Sequence, residues 1–339
     1  MIIAGRYEVR RSLGQGGYGE VYEVFDHHMT QTCALKLLKS TPLGTWTEAQ
    51  IMRQVRGEFI LTVLNADVAS GRAYVVTDLA TNGTLADRIV SGVGVPVGLA
   101  VRWARQACQG VARLHDHRLL HCDIKPGNIF LTDRDDALVG DLGLCQHPDA
   151  TGLVFPAGSP PTMAPEVAGP YSTGSPIRCY SARSDVYSLG ATLYWMLAGT
   201  PCYPGAGAAF IATAPQPDLW EVAPHVTQGL RDIVNKAITS DPAARYASPA
   251  DLDAALGGRT LPPRVWERVP PHPGHEQCFV GAKTGASELQ VCASPTGVRT
   301  QIKIEVQHAG TGRAVKKGSR TVARSRLAAG LRSAFNACP

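Results

Sequence analysis

The stretch His121-Cys122-Asp123-Ile124-Lys125-Pro126-Gly127-Asn128 puts a carboxylate, an ammonium group and an amide within one short segment, and Asp141-Leu142-Gly143 follows after a strand-like pair. A lone Asp-x-Lys or Asp-x-Gly is ordinarily a surface pair or a turn, so the weight rests on what surrounds them. Far upstream stands Leu13-Gly14-Gln15-Gly16-Gly17-Tyr18-Gly19-Glu20-Val21-Tyr22. Its glycines let backbone amides approach phosphates with no side chain in the way. Hairpins and dinucleotide sites share that spelling. A dinucleotide site, however, puts the glycines at a strand-to-helix turn, whereas here Glu20-Val21-Tyr22-Glu23-Val24 continues as a strand, which fits a loop folded over ATP.

Seventeen residues after Gly19, Lys36 is a single lysine inside the apolar strand Thr32-Cys33-Ala34-Leu35-Lys36-Leu37-Leu38. Burying an ammonium there is costly without an anionic partner. ATP phosphates and Glu48, in the helix-like run Thr47-Glu48-Ala49-Gln50-Ile51-Met52-Arg53, are the expected partners; the alternative for Glu48 is a solvated helix charge. Downstream lie Gly158-Ser159-Pro160-Pro161-Thr162-Met163-Ala164-Pro165-Glu166, then Asp185-Val186-Tyr187-Ser188-Leu189-Gly190, then Asp241-Pro242-Ala243-Ala244-Arg245.

With these segments in place and in this order, the chain resembles the eukaryotic-type (Hanks-type) serine/threonine protein kinases over about residues 7–256, as a bacterial-like member. The resemblance implies a bilobal α+β fold: an antiparallel sheet with one helix over residues 7–79 and a mainly helical lobe over 80–256. It makes Asp123 the base for the substrate hydroxyl, Lys125 a clamp on the transferred phosphoryl, and Asn128 and Asp141 the Mg²⁺ ligands. ATP would contact Leu13, Gly14, Gly16, Gly19, Val21, Ala34, Lys36, Thr77, Asp78, Ala80 and Asn128, with Thr77 as gatekeeper and 78–80 reaching adenine through the backbone. Residues 158–166 resemble the segment that receives a peptide substrate, 185–190 the helix that anchors the catalytic loop, and Glu166 and Arg245 a buried ion pair. The inventory suits the chemistry, because phosphoryl transfer is mostly positioning and charge neutralisation.

Three departures stand out. Cys122 replaces the arginine that in the family usually pairs with a phosphorylated activation loop, which argues against control by that modification. Leu142 stands where phenylalanine is commonest and keeps an apolar side chain for packing. The interval from Lys36 to Glu48 is short. Thr151, Ser159 and Thr162 are candidate autophosphorylation sites, Ser159 being better suited to positioning substrate. Two other readings are a pseudokinase scaffold that binds ATP and a small-molecule kinase; 158–166 and Arg245 argue against the second.

Of the 339 residues, 44% are hydrophobic and 18% charged, the composition of a folded protein. No apolar run reaches the roughly 20 residues of a membrane span, and no signal-peptide pattern opens the chain, so a cytoplasmic location is expected. Nine scattered cysteines without a C-x-x-C pair suggest neither a disulfide framework nor a zinc site. Charge is uneven. Residues 1–258 hold 20 Lys and Arg against 24 Asp and Glu, and 259–339 hold 13 against 4, giving −4 and +9.

Five prolines in 257–274 predict an extended linker. Beyond it, 275–339 reads as a basic module: strict alternation over 301–306 predicts a strand, and Leu327, Leu331 and Phe335 predict a helix over 320–335. Its cluster Arg313, Lys316, Lys317, Arg320, Arg324, Arg326 and Arg332 offers two partners besides protein substrates. One is nucleic-acid phosphate, through a faint resemblance to the end of a double-stranded-RNA-binding domain; the other is a regulatory protein or the acidic kinase body itself.

Overall fold

The computed structural model describes residues 1–15, 19–39, 55, 57–258 and 262–339. Gly16 and Glu48, with the helix expected around Glu48, lie outside them. The first layer is a six-stranded antiparallel sheet: β1 (Ile2–Ile3), β2 (Tyr7–Gln15), β3 (Gly19–Asp26), β4 (Gln31–Leu38), β5 (Val63–Ala69) and β6 (Arg72–Asp78), in the order β1-β2-β3-β4-β6-β5. Alternation along these strands sends Tyr7, Val24, Cys33, Leu35 and Val76 into one small core. Lys36 lies between the buried Leu35 and Leu37, so it faces the opposite side of the sheet.

A helical lobe follows, beginning with α1 (Leu85–Arg88) and α2 (Val97–Asp116). Val97, Ala100, Val101, Ala104, Ala107, Cys108, Val111 and Leu114 recur at helical spacing and form the buried stripe of α2. Strands β7 (Ile129–Leu131) and β8 (Ala137–Val139) pair as a short hairpin. The helices α3 (Pro165–Thr173), α4 (Ala182–Ala198), α5 (Ala208–Ile211), α6 (Leu219–Val222), α7 (Gln228–Ala237) and α8 (Pro249–Gly257) complete the lobe. Helix α4 is almost wholly buried. Ser181 caps it by accepting from the Arg183 amide, and Gly199 ends it at φ +70°, where the Val93 and Gly94 amides leave no room for a Cβ.

The C-terminal module is a five-stranded antiparallel sheet of β9 (Val265–Val269), β10 (Gln277–Ala282), β11 (Leu289–Pro295), β12 (Gln301–His308) and β13 (Arg320–Ala323), in the order β13-β12-β11-β10-β9. Helix α9 (Leu327–Ala337) packs Leu331, Ala334 and Phe335 onto it beside Trp266, Phe279 and Val306. Two expectations fail here. The interval 257–274 is not linker throughout, because Val265–Val269 pairs along β10 and buries Trp266. The helix starts at Leu327; before it, Arg320–Ala323 forms a strand in which Val322 pairs with Ile302 and packs on the core.

The module is docked on the helical lobe. Glu267 accepts from the Val97 amide at 2.9 Å, Arg268 donates to the Gly92 carbonyl at 2.9 Å, and Arg332 lies 4.6 Å over the Trp220 ring. Three cations of the basic cluster are engaged inside the molecule: Arg332, Arg324 in a fork on Glu276, and Arg320 with Ser333. Arg313, Lys316, Lys317 and Arg326 remain exposed, and nothing in this arrangement favours a nucleic acid as the partner.

His225 is buried against Phe279 with ring centroids 5.4 Å apart, and its Nδ1 has no partner among the described residues. Burial, reinforced by Arg268, lowers its pKa to about 3. Below pH ~6.5 the unfolded chain takes up a proton that the folded chain refuses, so stability present at neutral pH drains away as pH falls toward 3, by about 1.4 kcal/mol per unit. Glu267 is shifted up by burial, with the Val97 amide working against the shift. It therefore acts in the opposite sense, losing stability as pH rises above the ordinary carboxylate range. Thermal melting from pH 7 to 5 is expected to show a loss of about 2 kcal/mol that His225→Leu abolishes; equal slopes in both proteins would rule out His225 as the cause.

Candidate active site

Between the first sheet and the helical lobe lies a cleft of about 370 Å³. Leu13, Gly14, Val21, Ala34, Lys36, Thr77, Asp78, Ala80, Asn128 and Asp141 all line it. Gly19 does not line it. It pairs with Leu38 in the sheet, and a Cβ there would stand 2.4 Å from the Leu37 carbonyl oxygen, so packing alone explains the glycine. Leu79, within the expected 78–80 segment, lines it too, while Leu61, Val75 and Phe130 also form walls and were missed. An apolar ring needs such walls, and the run Ala73-Tyr74-Val75-Val76 carried the signal for Val75.

At the inner end Lys36 Nζ meets Asp141 Oδ1 at 2.6 Å, with both side chains largely shielded. Asp141 takes a left-handed backbone conformation, φ +55°, unusual for a residue with a Cβ. Asp123, buried next to the cleft-lining Asn128, does not itself line the cleft. Its Oδ2 accepts from Lys125 Nζ at 2.7 Å and from Asn128 Nδ2 at 3.0 Å, while its Oδ1 has no partner among the described residues. Such an orphaned acceptor carries a desolvation cost of about 1–3 kcal/mol that an incoming donor would relieve.

The loop bearing Asp123 is held from below by Asp185 of α4. This fully buried carboxylate accepts from the His121 amide (2.9 Å), the Cys122 amide (3.2 Å) and Tyr180 Oη (2.6 Å), and its Oδ2 lies 2.8 Å from His115 Nε2. Burial alone would raise its pKa, but the His115 contact and the neighbouring donors hold it below the usual value. Cys122 is buried with φ +67°, and burial pushes its thiol far up, so it remains a neutral thiol with no reach toward a phosphate.

The segment from Gly158 is fastened to the same loop. Lys125 Nζ also reaches Ser159 Oγ at 2.7 Å, and Thr162 Oγ1 donates to the Ile124 carbonyl at 2.7 Å. Thr162 is buried with its hydroxyl engaged, whereas Thr151 is exposed. Arg245 forms a two-pronged bond with Glu166 at 2.8 and 2.7 Å.

Asn128 and Asp141 suit Mg²⁺, which prefers hard oxygen donors. The Asn128 amide nitrogen is committed to Asp123, which leaves its oxygen for a cation, and Lys36 occupies Asp141 Oδ1. Elsewhere, two of the cysteines that read as scattered in the sequence are neighbours in space. Among the described residues His272, His275, Cys278 and Cys292 come together with their ligand atoms all within 4.8 Å of one another. The sequence signal was His-x-x-His-x-x-Cys, and the missing fourth member arrives only through pairing of β10 with β11.

A protein kinase domain model matches residues 7–254. Serine/threonine-protein kinase PknA of Mycobacterium tuberculosis is 29% identical over 297 residues, covering 79% of this chain and 65% of that protein. Mouse serine/threonine-protein kinase Nek3 is 32% identical over 200 residues (57% of this chain, 38% of that protein), and calcium/calmodulin-dependent protein kinase type 1 of Caenorhabditis briggsae is 25% identical over 264 (74% and 72%). Among the described residues no helix is long and apolar enough to cross a membrane. With a bilobal fold, the ordered motif set and a family match over most of its length, the chain belongs to the protein kinase family.

Proposed function

We propose that this protein transfers the γ-phosphoryl group of ATP to serine or threonine hydroxyls of protein substrates, with Asp123 as the base. The observation that carries the reading is the state of the Asp123 carboxylate: one oxygen is fixed by Lys125 and Asn128, the latter a cleft-lining residue, and the other is buried with no partner among the described residues. A substrate hydroxyl donating to Oδ1 would satisfy that oxygen and be oriented for attack. Lys36 and Lys125 supply positive charge at the phosphates, and the apolar walls hold adenine and exclude water. Mg²⁺, bound by Asn128 and Asp141, would neutralise phosphate charge and hold the transferred group in line.

The tether between 158–162 and the catalytic loop supports a polypeptide substrate over a small molecule, because it builds a platform beside Lys125 and Asp123. The activation loop is braced by unmodified contacts, Val154 pairing with Tyr180 and Arg178 lying 4.2 Å over Phe155, which supports activity without loop phosphorylation.

The test is transfer from γ-labelled ATP with Mg²⁺ to a generic basic protein, with Asp141→Ala as the blank. Label on serine or threonine, absent in the blank, is expected. ATP binding with no label on itself or the substrate would favour a scaffold, and label on small amino alcohols alone a small-molecule kinase.

A further inference from the structure

The turn between β9 and β10 and the β10–β11 pair carry four side chains that the kinase chemistry does not use. Cys278 and Cys292 face each other across the strand register, on the face opposite to that of Phe279, Val291 and Ala293, which enter the apolar core. Both are nevertheless buried, because the turn holding His272 and His275 folds over them. Cys278 Sγ lies 3.2 Å from His272 Nδ1 and 3.6 Å from His275 Nδ1, and Cys292 Sγ lies 3.7 Å from His272 Nδ1. The two rings are 83° apart in plane.

We propose that His272, His275, Cys278 and Cys292 form a structural zinc site. Metal–ligand bonds of about 2.0–2.3 Å at tetrahedral angles separate neighbouring nitrogen and sulfur ligands by about 3.6 Å, close to the three separations seen. Cys278 Sγ stands against a nitrogen of each imidazole, and His272 Nδ1 in turn faces both sulfurs, so the four groups converge on one point. One cation answers all four groups together. The His272 amide also points at Cys278 Sγ, 3.5 Å away, the kind of outer contact that steadies a thiolate ligand. Two thiolates with two imidazoles select zinc over the hard cations, and four protein ligands close the site to catalysis.

The setting gives the ion a task. Pro270, Pro271 and Pro273 stiffen the turn, Gly274 at φ +83° reverses it, and a metal would lock it onto a small sheet that needs reinforcement. Forming the site exchanges the two thiol protons, released to solvent, for the divalent cation, with no change of oxidation state.

The experiment uses the full chain prepared with reductant and zinc, then freed of loose metal. About one zinc per chain is expected, and replacement by cobalt(II) should give the strong visible bands of a tetrahedral thiolate site. His272 is exposed, so H272A should fold and yet bind zinc more than about 100-fold more weakly, beyond the roughly 10–100-fold cost of losing an outer partner. C292S should behave likewise, and C179S should keep its zinc. The proposal is overturned by wild-type protein that takes up neither zinc nor cobalt, by undiminished zinc in H272A and C292S, or by a Cys278–Cys292 disulfide in that preparation.

Discussion

Asp123→Asn is expected to lower kcat about 10³-fold while leaving ATP affinity and melting temperature close to those of the unaltered chain, within the 10²–10⁴-fold range of general-base contributions. The asparagine oxygen can still accept from Lys125 and Asn128 at the position of Oδ2. Its amide nitrogen then sits where Oδ1 was, in the buried place with no partner among the described residues. A group that should accept a proton has become a donor, so the change removes the base and spares the scaffold. Steady-state kinetics with a protein substrate, together with nucleotide binding, would check this. A fall in kcat of less than about 10-fold would mean that Asp123 only positions its neighbours.

Arg245→Met is expected to cost about 3–5 kcal/mol of stability, the range for breaking one side of a buried ion pair. Every donor of this fully buried guanidinium is used: Nε to the Thr239 carbonyl, Nη1 to Glu166 and the Arg183 carbonyl, Nη2 to Glu166 and the Ser240 carbonyl. Methionine fills part of the space over Tyr187, 4.8 Å away, but leaves three carbonyls and a carboxylate without their donor. Lysine keeps the charge with three donors in place of five and should recover only part of the loss. Denaturant unfolding would measure it, alongside a fall of about 10 °C in melting temperature. A loss below about 1 kcal/mol would show that this ion pair is dispensable.

The catalytic lobe was legible because its chemistry dictates side-chain identity at short, fixed separations. Asp123, Lys125 and Asn128 sit on one loop, and the buried α4 was matched through the run Asp185-Val186-Tyr187-Ser188-Leu189-Gly190. Glu166 and Arg245, 79 residues apart, were matched only through the resemblance, since nothing local marks either as buried. The module was less legible. Val265–Val269 is a strand because β10 offers it an edge, and the flanking prolines hid that. The helical spacing of Leu327, Leu331 and Phe335 was carried too far upstream, across residues whose fate is settled by pairing with β12. The His and Cys cluster is split between a turn and two strands, so its completeness depends on register.

The junction between α2 and β9 bears on how self-sufficient the catalytic part is. Helix α2 begins after Pro96 without a capping side chain of its own, and the amide of its first residue is served by Glu267, 170 residues later in the chain. A chain severed after α8 would return that helix start to water, along with the Trp220 face that Arg332 covers and the Gly92 carbonyl that Arg268 binds. Loss of a helix cap alone is worth about 0.5–2 kcal/mol. The kinase lobe therefore borrows part of its own completion from the C-terminal sheet, and the two are better regarded as one folding partnership than as an enzyme with an appendage.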